Sequence, residues 1–224
     1  MSLQLSMQHI YKSYTQLDKV EVFDDISIDF VQGTSYAIMG ASGSGKSTCI
    51  HLLAGIDLPT SGEVLFDGVA LSSFKPEARA QFFQKNISLV FQQASLLAEL
   101  TILENVMLKA ILTNQVTEKS YEHAYDLLKE VGLFDKADAY PAMLSGGQQQ
   151  RIAILRAIFI VPQFLLVDEP TGNLDEESST QVIDLLLHYQ KKYDMGLIIS
   201  THNQQIAERM QIMLRVLNKK IEKI

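Results

Sequence analysis

The sequence predicts an α/β fold: a mostly parallel sheet core, a small antiparallel β subdomain and an inserted α-helical subdomain. Three observations predict it. Short apolar strands alternate with helices near both ends of the 224-residue chain, the order that builds a parallel sheet with helices on both faces. The opening residues alternate apolar and polar with the two-residue period of strands. From about Ser95 to Ile160 the apolar spacing becomes helical.

Each element has its local reason. Leu3-Leu5, then Val20-Val22 and Ile26-Ile28-Phe30, read as early antiparallel strands. Gly33 punctuates before Tyr36-Ala37-Ile38-Met39, a short apolar strand running into Gly40, and Thr48 to Gly55 reads as the next helix. Pro59-Thr60-Ser61-Gly62 is a turn, and Val64 to Val69 reads as a hairpin with Asp67-Gly68 at its tip. Ile87 to Phe91 is another apolar strand. Thr101 is a helix cap whose capping-box partner is Glu104. Tyr121, Ala124, Tyr125, Leu127 and Leu128 follow helical spacing. The most apolar stretch, Ile152 to Val167, is interrupted by Arg156, Pro162 and Gln163 and is too short to cross a bilayer. It reads as a buried helix, a break at Pro162 and a buried strand, Phe164 to Val167. An amphipathic helix, Ser178 to Tyr193, precedes another apolar strand, Leu197 to Ser200. The expected organisation is one domain: 1–94 and 161–224 form the core with its β subdomain, and 95–160 form the helical subdomain.

Composition narrows the function classes. Apolar residues make up 47% of the chain, which argues against disorder. The formal net charge of −7 argues against a general nucleic-acid binder, which needs cations to neutralise phosphates. The single cysteine, Cys49, allows no intrachain disulfide and fits a reducing compartment. No activating partner is visible for it, so it reads as a small core residue. With no apolar signal segment at the start, the expectation is a soluble protein without direct membrane insertion. Any membrane role then comes through a partner.

The chemistry lies in a few short stretches. Gly40-Ala41-Ser42-Gly43-Ser44-Gly45-Lys46-Ser47-Thr48 fits G-x-x-x-x-G-K-[ST] and follows a predicted strand. Such a loop turns backbone N–H groups and a helix N-terminus toward phosphates. Lys46 reaches the β- and γ-phosphates, and the Ser47 hydroxyl suits Mg²⁺. The strand Phe164 to Val167 delivers Asp168 and Glu169 to its end. Asp168 can hold Mg²⁺ there, and Glu169 can polarise an attacking water as general base. Leu144-Ser145-Gly146-Gly147-Gln148 opens a helix over Gln149 to Phe159. Its Ser145 hydroxyl and N–H groups form a second anion site. Taken alone, such a turn is usually a helix cap; in a chain that already has one phosphate site, a second is surplus unless it serves another nucleotide, or the same type of nucleotide held by another copy.

Three single residues sit where they could assist. Gln92 follows the strand Ile87 to Phe91, so its amide could reach Mg²⁺ and the attacking water. His202 follows another strand end and could hydrogen-bond the γ-phosphate. Tyr14 could stack on adenine. Each residue type is also ordinary in such a place, as polar surface for Gln92 and His202 and as packing for Tyr14.

Together these residues resemble the ATP-binding cassette family, and the resemblance covers essentially the whole chain. Gly40 to Thr48 matches the Walker A loop, Gln92 the Q-loop and Leu144 to Gln148 the signature. Phe164 to Glu169 matches Walker B with its catalytic glutamate, Asn173-Leu174-Asp175 the D-loop, His202 the switch histidine and Tyr14 the adenine-stacking aromatic. The resemblance implies a P-loop NTPase (RecA-like) core that binds ATP and Mg²⁺. It also implies a head-to-tail homodimer when ATP is bound, in which Ser145 and Gly147 close over the other subunit's nucleotide and Asp175 lies at the seam.

The longer strings Glu169 to Asp175 and Leu144 to Arg151, with Phe91-Gln92, Leu96-Leu97, Leu100-Thr101 and Glu104-Asn105-Val106, look like one subgroup. It includes lipoprotein-release ATPases, macrolide-exporter cassettes and the division cassette FtsE. That likeness implies an ATPase subunit on the cytoplasmic face of a bacterial inner membrane, held there by an integral-membrane permease. A division-type regulatory cassette is the alternative. Leu96, Leu97 and Leu100 either receive a permease helix or pack in the core. Asn218-Lys219 stands where the family often has Asp-Gly, and Asn tolerates the positive φ of a tight turn.

Overall fold

The computed structural model describes residues 2–15 and 19–224. Strands β1 (Gln4–Thr15) and β2 (Lys19–Val31) pair antiparallel, and β1 also pairs antiparallel with β4 (Ser61–Phe66). Strand β5 (Val69–Ala70) completes this four-stranded sheet. The two-residue link Asp67-Gly68 has positive φ at both positions (48° and 79°), the backbone a tight hairpin demands. The predicted antiparallel subdomain and its Asp-Gly tip are therefore present.

The second sheet has six strands in the order β10-β9-β3-β8-β7-β6. They are β3 (Ser35–Met39), β6 (Ile87–Val90), β7 (Phe164–Asp168), β8 (Gly196–Thr201), β9 (Ile212–Leu217) and β10 (Lys220–Lys223). All neighbours are parallel except the β9–β10 hairpin, whose turn uses positive φ at Asn218 and Lys219. Strand periodicity explains how both faces are buried. Ala37, Leu165, Val167, Leu197 and Ile199 enter one apolar cluster. Their alternates Tyr36, Ile38, Phe164, Leu166 and Ile198 enter another.

The first cluster is shared with helices α3 (Ile102–Leu112), α4 (Glu118–Glu130), α5 (Gly146–Ile158) and α6 (Glu176–Tyr193). The second is shared with α1 (Lys46–Leu53) and the antiparallel sheet, and Cys49 is fully buried within it. Helix α3 starts at the expected Thr101–Glu104 capping box. Helix α2 (Pro76–Asn86) was not expected from periodicity; its signals are Pro76 in the first turn and Glu77 beside it. A short helix, α7 (Gln204–Ala207), follows β8.

One polar group in this region is out of character. Lys109 on α3 directs its amine to Ser88 Oγ at 2.5 Å and to the Ala157 carbonyl at 3.4 Å, and burial pulls its pKa down to about 8. A lysine whose folded pKa lies below its unfolded value costs stability while it is charged. That cost is full below about pH 8 and fades as the pH rises toward the unfolded value. Lys109→Met should therefore stabilise the chain at pH 7 by about 1 kcal/mol, net of two lost hydrogen bonds. The gain should vanish by about pH 10 in urea unfolding curves. A gain that does not change with pH would rule out the buried charge as its cause.

Candidate functional site

Parallel register brings four strand ends to one edge. Met39 of β3 lies opposite Thr201 of β8, Ser200 opposite Asp168 of β7, and Val167 opposite Val90 of β6. The segments that follow carry Gly40 to Thr48, His202, Glu169 and Gln92. The carboxyl edge of an open parallel sheet is where ligands bind in such folds. A pocket of about 350 Å³ opens there, lined by Ser42, Gly43, Lys46, Ser47, Gln92 and Glu169 among others.

The glycine-rich loop shapes one wall. Gly45 has φ 109°, and a β-carbon on it would lie 2.6 Å from Val22, so only glycine fits. Helix α1 follows directly, and its first residues, Lys46, Ser47 and Thr48, line the pocket at the end where a helix carries partial positive charge. The buried Ser44 hydroxyl has no hydrogen-bond partner. It lies against Gly40, on which a β-carbon would stand 2.4 Å from it, and Ser44 is not part of the pocket lining; the loop's fit to phosphate rests on Lys46 and Ser47, which do line the pocket, and on the helix N-terminus that carries them. Lys46, only 4% exposed, donates to the carbonyls of Gly40 (3.0 Å) and Ala41 (3.1 Å), and its Nζ lies 3.1 Å from Glu169 Oε1.

The acidic pair forms the opposite wall. Asp168 Oδ1 accepts from the hydroxyls of Ser47 (3.0 Å) and Ser200 (2.5 Å), and His51 Nε2 lies 3.9 Å from Oδ2. Ser200 is fully buried, and its oxygen accepts from the Glu169 N–H at 3.0 Å. One hydroxyl thus locks both acids in place. A hydroxyl and a carboxylate side by side suit Mg²⁺, which takes few protein ligands and keeps several waters. Glu169 adopts positive φ (42°), and its second oxygen lies 3.3 Å from His202 Nδ1. Its carboxylate therefore spans Lys46 and His202.

Ser200 and His51 were not foreseen. His51 could have been found, because it lies one helical turn from Ser47 on α1. Gln92 stands at the pocket rim, its amide against Gly172: a β-carbon there would lie 2.8 Å from Nε2. Tyr14 sits beside Thr48, outside the pocket lining. Its hydroxyl donates to Asp57 Oδ2 at 2.6 Å, and Lys12, itself bound to Asp57, lies 4.4 Å from the ring centre. Burial, then the bond to Asp57, pushes the Tyr14 phenol pKa up.

Ser145 is the N-cap of α5. Its hydroxyl accepts from Gln148 N, and Gln148 Oε1 accepts from Ser145 N at 2.9 Å. The helix begins at Gly146, three residues earlier than expected. Asp175 caps α6 in the same way, accepting from the Ser178 N–H and hydroxyl, which hold its carboxyl below the usual range. Ser178 packs against Gly147, so the two capped helix starts adjoin. Ser145, Gly146 and Asp175 are exposed. None of Ser145, Gly146, Gly147, Gln148 and Asp175 lines the pocket of its own chain.

Comparison with known proteins agrees with this geometry. A family model described as ABC transporter matches residues 23–172. The lipoprotein-releasing system ATP-binding protein LolD of Legionella pneumophila (strain Paris) is 43% identical over 211 residues, covering 94% of this chain and 93% of the relative. The LolD protein of Syntrophus aciditrophicus (strain SB) is 42% identical over 193 residues, 86% of each chain. Among solved structures, a dimeric post-hydrolysis state of the ATP-binding cassette MJ0796 bound to ADP and Pi superposes with a TM-score of 0.86. It is 29% identical and covers 98% of both chains.

Proposed function

The chain belongs to the ABC transporter family and is an ATPase of that family; on that premise we propose that it drives a membrane permease that releases lipoproteins. The observation that carries the substrate class is similarity to lipoprotein-releasing ATP-binding proteins along almost the whole chain.

In this reading the loop Gly40 to Thr48 cradles the phosphates of ATP, and Tyr14 stacks on the adenine. Lys46 leaves the loop carbonyls for the β- and γ-phosphates. Ser47 and Asp168, with Gln92 nearby, hold Mg²⁺, which supplies charge neutralisation on the phosphates. Glu169 takes a proton from water as its oxygen attacks the γ-phosphorus. The bond to the β–γ bridging oxygen breaks and ADP leaves. His202 and Gln92 hold the water and γ-phosphate in line. Ser200 keeps Asp168 and Glu169 in register through both of its hydrogen bonds.

Two copies form the working unit. The turn Ser145 to Gln148, exposed at Ser145 and Gly146, presents an anion site away from its own pocket. A second copy supplies the nucleotide it lacks, with Asp175 at the seam. We assign residues 95–160 to a subdomain that carries this turn. Phe91, just before it in sequence, and Leu97, within it, are exposed, and Leu96 packs on the core. Buried Asn105 fixes the adjoining loop through Leu97, Leu100 and Thr101. This is where the permease docks. Among the described residues no helix is long and apolar enough to cross a membrane. In this reading the permease holds the chain at the cytoplasmic face of the inner membrane.

The test is reconstitution. The chain copurified with its membrane subunits should release a lipid-anchored protein from proteoliposomes only with hydrolysable ATP. ATP turnover that alters the membrane partner without any lipoprotein release would favour the regulatory, division-type reading instead.

A further inference from the structure

The segment Phe91 to Ser95, which carries Gln92, is gripped from behind by α5. Gln150, 3% exposed, donates its side-chain N–H to the Phe91 carbonyl at 3.0 Å. Farther along the helix, the two terminal nitrogens of Arg156 donate to the carbonyls of Ser95 (2.8 Å) and Ala94 (2.9 Å). Gln92 lies between these anchors. Ser95 has φ 47°, a left-handed conformation that a non-glycine residue keeps only when its surroundings impose it. A guanidinium fork bonding two successive carbonyls is such an imposition, and a lysine cannot reproduce it.

We propose that Arg156 is a positioning residue for hydrolysis, holding Ala94-Ser95 so that the Gln92 amide stays at the phosphate end of the pocket, with Gln150 as the second hold. The proposal rests on the role given above to Gln92. It adds a mechanical link. Helix α5 is capped by Ser145, which serves the other copy's nucleotide, and near its far end grips the loop that serves its own. At about 1.5 Å per residue, Ser145 and Arg156 are roughly 16 Å apart along one rod. A shift at the signature turn therefore reaches Gln92 without passing through the sheet.

The test is a double-mutant cycle on steady-state ATPase activity of the full chain: Arg156→Met, Gln92→Ala and both together. Arg156→Met should lower kcat about tenfold, while affinity for a fluorescent ATP analogue changes less than about twofold. In the Gln92→Ala background the same substitution should cost less than about twofold, because its effect runs through an amide already gone. Arg156→Lys should recover only part of the loss. An equal fold-loss from Arg156→Met in both backgrounds would overturn the proposal, since that is what a merely structural arginine gives. If Arg156→Met melts before it can be assayed, Gln150→Met goes through the same cycle, and additive losses there would equally overturn it. Wild-type turnover by Gln92→Ala would instead remove the role of Gln92 itself, and the clamp with it. An impaired Gln92→Ala with additive Arg156→Met removes the clamp alone.

Discussion

Glu169→Gln should bind ATP normally, lose hydrolysis by at least about a hundredfold and accumulate as an ATP-bound dimer. The amide keeps the shape of the side chain and removes its basicity. It also removes the negative charge between Lys46 Nζ at 3.1 Å and His202 Nδ1 at 3.3 Å. Lys46 then has one fewer competitor for phosphate, so ATP affinity holds or rises. With turnover blocked, nothing separates the two copies. A sizing column run in saturating Mg·ATP reads the outcome. A variant that stays monomeric there, with or without its membrane partner, would defeat the two-copy mechanism.

Ser145→Arg should lose hydrolysis to about 1% of wild type or less and keep ATP binding to the single copy within about threefold. Ser145 is exposed and its hydroxyl caps α5, so the substitution costs about 1 kcal/mol of local stability and leaves the core intact. The added bulk stands on the surface that must meet another copy's nucleotide. Combined with Glu169→Gln, it should prevent the dimer from forming. Titration of the single copy with a fluorescent ATP analogue is the check. Loss of binding there would mean that the turn serves the nucleotide of its own chain.

Much of this site was legible because its parts are local. The phosphate loop, Asp168-Glu169 and the capping box at Thr101 each sit within a few residues and follow a pattern of strand or helix. What was not legible depends on which strands become neighbours. Ser200 looked like the polar end of an apolar strand. It matters because β8 lies between β3 and β7, which sets it beside Asp168. Arg156 looked like an interruption of an apolar run; its partners lie 61 and 62 residues away in sequence. Helix α2 escaped because Phe82 and Phe83 are its only large apolar residues. Helix α5 starts early because the Ser145–Gln148 box offsets the poor helix propensity of two glycines. Of the three loop leucines, Leu96 packs on the core, Leu100 is half-buried and Leu97 is exposed, so core packing accounts for Leu96 and not for Leu97.

The backbone at Glu169 sets stability and activity against each other. Its φ of 42° is one that glycine or asparagine accepts more readily than glutamate does. A breeding experiment that rewards only yield or heat resistance would therefore favour replacing Glu169. The winners would be sturdier proteins that hold ATP and never spend it. Such a campaign needs turnover as a counter-screen, because this positive-φ position also carries the proposed general base.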